Sequence, residues 1–132
     1  MIPIQVRAID HVVLRIVDEQ SMLHFYGNIL GCPVERRQDA LGLIQLRAGR
    51  ALIDLVTLTG KLGREGGAAP GPEGRNMDHF CLRVDPFNET EIRAHLAAHG
   101  VCAIDWLLLA IGLYHRFIWD KSKQICYPSI YA

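Results

Sequence analysis

His11, Asp54 and His79 are the residues of this 132-residue chain whose types suit a divalent metal ion. Two imidazoles and one carboxylate on rigid strands fit a borderline ion such as zinc, nickel, iron or manganese. Asp54 stands in the otherwise apolar run 51–58. A carboxylate there is costly to bury unless it is paired, hydrogen-bonded or bound to a metal. It could instead cap a neighbouring backbone group, or pair with Arg47 or Arg50. A lone histidine on a strand is ordinarily structural. These two stand out because they recur at equivalent places in a repeat.

The repeat places Asp10, His11, Leu14 and Arg15 against Asp78, His79, Leu82 and Arg83, 68 residues later. Both copies are apolar, β-branched and of strand length, so both read as strands. Side chains alternate along a strand. Val12, Leu14 and Ile16 therefore share a face suited to packing under a helix, and Ile9, His11, Val13 and Arg15 share the other. The same rule puts Phe80, Leu82 and Val84 under a second helix, with His79, Cys81 and Arg83 opposite. The two histidines would converge if the halves pack with approximate two-fold symmetry. Arg15 and Arg83 could bind an anionic substrate there, or only line a solvated edge. Asp10 and Asp78 face the other way and suit strand-end hydrogen bonding. His24, His95 and His99 fall on helices, where a surface role is the default.

Each strand copy is followed by a helix. The first starts at Asp18, an N-cap type, and carries the stripe Met22, Phe25, Tyr26, Ile29 and Leu30 before Gly31 stops it. The second starts at Asn88 with Glu91 at capping-box spacing, carries Ile92 and Leu96, and stops at Gly100. Three strands follow the first helix, at about 34–38, 43–48 and 51–58, with turns at Gly42 and Gly49-Arg50. Module one, about 7–58, therefore reads β-α-β-β-β. Residues 59–76 hold six glycines and two prolines and read as an exposed linker. Module two runs from about 77 to 132. From about 101 it is atypical: strands at about 101–110, 113–119 and 125–131 compete with a buried helix at 104–119. The class is α+β in a single domain, with the helices on one face.

Lys and Arg total 14, as do Asp and Glu, so the formal net charge is zero. Nucleic acid and anionic membranes favour a basic excess and are not expected partners. The apolar stretch 106–114 is too short to span a bilayer. The first residues have no apolar signal core, which predicts a cytoplasmic protein. None of Cys32, Cys81, Cys102 and Cys126 forms a CxxC pair, so reduced core thiols are expected. Glycine-rich nucleotide fingerprints are absent.

The run from Ile9 to Leu14, then Phe25-Tyr26, then Leu30-Gly31, resembles the opening of vicinal oxygen chelate proteins, the glyoxalase, bleomycin-resistance and extradiol-dioxygenase group. The strand holding Asp54 is similar to the family strand that carries a second ligand, usually Glu. Met77 to Leu82 resembles the start of the family's second module. The resemblance covers about 9–101. It implies two βαβββ modules pairing into a curved mixed sheet with the helices outside. It also implies His11, Asp54 and His79 as metal ligands, a small oxygen-bearing substrate, and homodimerisation. The last 30 residues depart from it: the Asp-Pro-x-Gly turn and the last-strand Glu ligand are missing. The implied activity is that of a divalent-metal-dependent lyase, isomerase or dioxygenase, for which the sequence identifies no catalytic base. A metal-free binding protein of the bleomycin-resistance type and a decayed dimeric scaffold stay open as alternatives.

Overall fold

The computed structural model describes residues 4–70, 81–84, 86, 88–101 and 117–119. Along the chain come β1 (His11–Ile16), α1 (Glu19–Leu23) continuing as a π-helical segment (His24–Ile29), β2 (Val34–Gln38), β3 (Leu43–Ala48) and β4 (Ala51–Thr57). Then come α2 (Lys61–Glu65), β5 (Cys81–Arg83), α3 (Glu89–Ala98) and β6 (Phe117–Trp119). The first four strands form an open mixed sheet in the order β1-β4-β3-β2. β1 runs parallel to β4, and the other two pairs are antiparallel. β5 and β6 pair antiparallel in a second, two-stranded sheet. This is the expected α+β arrangement, with helices on one face of a mixed sheet.

Alternation along the strands decides which face is covered. Leu14 and Ile16 of β1, Ile44 and Leu46 of β3, and Ile53 and Leu55 of β4 are all buried in one cluster. Met22, Phe25, Tyr26 and Ile29 of the first helix fill the same cluster. Asp18 caps that helix: its Oδ1 accepts from the Ser21 N–H at 3.0 Å. The helix widens into π geometry, with the Leu30 N–H reaching Phe25 O at 2.9 Å. The widened turn departs from the 3.6-residue stripe, and Leu30 ends only partly buried. Gly31 then takes φ 71°, the left-handed stop.

The second helix docks on the same core through Leu96, with Ile92 and Leu82 packed against it. Asn88 caps α3 by accepting from the Glu91 N–H at 3.3 Å. At its far end the Val101 N–H bonds Leu96 O at 2.9 Å, a Schellman closure across Gly100 at φ 70°. His95 Nε2 lies 2.8 Å from Ile29 O and so staples α3 to the end of the first helix.

Residues 59–70 are more structured than their composition suggested. α2 lies so close to the end of β4 that a methyl group on Gly63 would sit 2.0 Å from Thr57 O. Gly42 meets the same segment: at φ 70°, its added methyl would lie 2.6 Å from the Gly60 Cα. Of the strands expected after residue 100, only Phe117–Trp119 falls within the described residues, and it is strand rather than helix. The other expected elements of 101–131 lie outside them. Among the described residues no helix is long and apolar enough to cross a membrane.

Candidate functional site

The face of the sheet turned away from the two helices, its open face, is a grid fixed by strand register. One row across it is His11, Leu52 and Arg47. The next is Val13, Asp54, Gln45 and Arg36. The third is Arg15, Val56, Leu43 and Gln38. His11 and Asp54 thus share one face on adjacent strands, two residues out of step. His79 lies outside the described residues, so the third expected ligand has no position here.

Among the described residues Asp54 is the buried charged residue, at 5% exposure. It pairs with neither Arg47 nor Arg50. Gln45, its direct cross-strand neighbour, donates from Nε2 to both carboxylate oxygens at 3.1 Å. An ionised carboxylate only accepts, so the amide must present its nitrogen. The sequence held a signal for this pair. A two-residue turn at Gly49-Arg50 sets Ala48 opposite Ala51, and that register carries Gln45 to Asp54.

His11 is exposed, and its Nδ1 lies 2.8 Å from Asp10 Oδ2. The carboxylate forces the proton onto Nδ1 and leaves Nε2 facing outward as a donor atom for a ligand. Asp10 therefore orients the imidazole, which adds to the strand-end role expected of it. The Asp10 hydrogen bond, followed by the charge of Asp54, holds the His11 pKa above the usual 6.5.

The arginines of this face are mostly committed. Arg15 is half-buried and folds back onto the chain. Its guanidinium donates to the carbonyls of Gly63 at 2.9 Å, Gly67 at 2.8 Å and Ala68 at 2.9 Å, and to that of Gly66. It ties the segment after α2 onto the end of the sheet. Arg47 grips both carboxylate oxygens of Glu35, and this bond holds the Glu35 carboxyl below its ordinary pKa. A groove of about 300 Å³ lies at the end of the sheet remote from His11, bordered by Glu19, Arg37, Asp39, Leu43 and Thr57. Arg37 already bonds Glu19 and Asp39 there, and the groove contains neither His11 nor Asp54.

With this geometry in place, comparison with known proteins decides the family. The model of the Glyoxalase/Bleomycin resistance protein/Dioxygenase superfamily matches residues 8–104. The chain belongs to this superfamily. Two solved structures share the superfamily member's fold. A protein from the mobile metagenome of V. pseudocholerae is 19% identical, with TM-score 0.61, over 84% of this chain and 81% of its own. An integron cassette protein from the mobile metagenome of V. cholerae is 20% identical, with TM-score 0.62, over 88% of each chain. No curated protein matches the sequence.

The donors in place suit a divalent ion in type: an outward imidazole nitrogen backed by a carboxylate, and a carboxylate held by an amide. Among the described residues no group of three is placed to hold an ion. A complete site therefore needs a donor from outside them.

Proposed function

We propose that this superfamily member binds a divalent metal ion on the open face of its four-stranded sheet and acts there on a small oxygen-bearing molecule. His11 and Asp54 are two ligands, and His79 supplies the third. The observation that carries the reading is the pairing of Asp10 with His11 Nδ1, which leaves Nε2 outward on the face that also holds buried Asp54. A metal there would polarise paired oxygens of the substrate as a Lewis acid, the chemistry of a lyase, isomerase or dioxygenase. The protein's own part is orientation: Asp10 fixes the imidazole and Gln45 fixes the carboxylate. The protein works in the cytoplasm as a homodimer. Edge strand β1 supports the second copy: Ile9 and Val13 are exposed, and among the described residues only β4 pairs with it.

One observation favours a second reading, a metal-free binding protein. Gln45 already satisfies both oxygens of Asp54, so the carboxylate is stable without an ion. Metal analysis and calorimetry on wild type, His11→Ala, Asp54→Ala and His79→Ala separate the two. Stoichiometric zinc, nickel, iron or manganese, lost in all three variants, supports the enzyme. Absence of any ion, with His11→Ala and His79→Ala as stable as wild type, removes it in favour of ligand sequestration.

A further inference from the structure

The β-bulge in β2 re-aims one arginine. Val34 pairs with Leu46, in a register that would set Arg36 opposite Ile44 on the helix-covered face. The register shifts by one residue between Val34 and Arg36, and Arg36 faces Gln45 instead. The following residue, Arg37, then faces Ile44 and reaches Glu19 of α1 at 2.7 Å. Bulges of this kind commonly redirect a side chain beside a site. The bulge adds Arg36 to the row that runs through Gln45 to Asp54.

Arg36 also differs from the other arginines on that face. Arg15 is spent on four carbonyls and Arg47 on Glu35. Arg36 is exposed, and among the described residues its side chain engages no hydrogen bond or ion pair. Arg50 sits in the β3–β4 turn, off the grid. Two strand spacings separate Arg36 from Asp54, about 10 Å between Cα atoms. An arginine side chain leaning back over Gln45 shortens that span to the length of a short carbon chain.

We propose that Arg36 selects substrates carrying a carboxylate at the end remote from the oxygens held near His11 and Asp54. This rests on the metal-site reading above. A planar guanidinium matches a carboxylate with two parallel hydrogen bonds. One cation, next to Glu35 in the chain, offsets a single negative charge, which suits a carboxylate better than a dianionic phosphate. The substrate class is therefore a short acid with an adjacent oxygen pair at its other end.

The test is calorimetry on the manganese-loaded protein with two probes matched in their 2-oxo acid end. 2-Oxoglutarate carries a distal carboxylate, and 2-oxopentanoate carries a methyl group in its place. 2-Oxoglutarate is expected to bind about tenfold more tightly, the usual effect of one charge-assisted pair. Arg36→Gln should abolish the preference while leaving 2-oxopentanoate binding unchanged, and Arg50→Gln should preserve it. Equal affinities in wild type, or a preference surviving in Arg36→Gln, would overturn the proposal. If manganese binds and neither probe does, the substrate inference falls alone. If manganese does not bind, the metal-site reading falls and takes the inference with it.

Discussion

The two faces of the four-stranded sheet come from the same strands, yet they are held together by different physics. On the covered face, Leu14, Ile44, Leu46, Ile53 and Leu55 are locked by burial under two helices. On the open face, most polar groups are fixed by a named partner: His11 by Asp10, Asp54 by Gln45, Arg47 by Glu35, Arg15 by four carbonyls. The covered face is non-directional, and any side chain of the right size serves. The open face is directional, so changing one partner moves one group. A rigid apolar layer behind each strand fixes where the side chains of the front layer stand.

Substitutions on the two faces should therefore differ in size and in kind. The largest loss is expected from Leu55→Ala, which empties a fully buried position at 0% exposure. The cost should be about 2–5 kcal/mol, measured by urea unfolding, with no specific effect on the open face. A loss below 1 kcal/mol would mean that this face is not packed as described. Gln45→Leu comes next. It strips both donors from buried Asp54, and the stranded carboxylate should cost about 1–3 kcal/mol. The double variant Gln45→Leu/Asp54→Leu should recover much of that loss, because neither polar group is then left unmatched. A double-mutant cycle showing plain additivity would break the claim that Gln45 acts through Asp54.

The covered face was legible in the sequence and the open face only in part. Period-two alternation in 11–16 put Leu14 and Ile16 in the core, the stripe on the first helix added Met22, Phe25, Tyr26 and Ile29, and Asp18, Gly31, Asn88 and Gly100 marked the helix ends. Such signals are local, and local signals survive without knowledge of neighbours. The partners on the open face are set between strands. Gln45 could have been paired with Asp54 by counting back from the tight turn, a step that needs register as well as pattern. The bulge at Glu35 has no signature in a strand whose residues are nearly all exposed. The carbonyl cluster around Arg15 needs α2, five residues within a glycine-rich stretch that reads as a linker. His11 stood out by type, face and repeat and Asp54 by type within an apolar strand, whereas the hydrogen bond between Asp10 and His11 appears only with three-dimensional contact.

Asp10→Asn should give the smallest change, and it is confined to proton affinity. The Asp10 bond is the main cause of the raised His11 pKa, and the charge of Asp54 adds to it. An amide in place of Asp10 can still accept from Nδ1, but it carries no charge to favour the imidazolium. The His11 pKa should therefore fall towards 6.5 and stop above it, because Asp54 remains. The linked stability follows the same sign. A histidine whose folded pKa is raised stabilises the fold fully below its unfolded value of 6.5. That contribution disappears as pH rises through the folded value. Wild type should thus lose a little stability just above pH 6.5, and Asp10→Asn should lose less over the same interval. At the proposed metal site proton and metal would compete for Nε2, so zinc affinity in wild type should keep rising with pH until the raised pKa is passed, and in Asp10→Asn it should level off sooner. Titration of the His11 ring signals by NMR in both proteins reads the pKa directly. Coincident curves would show that Asp10 leaves the proton affinity untouched and reduce its role to ring orientation.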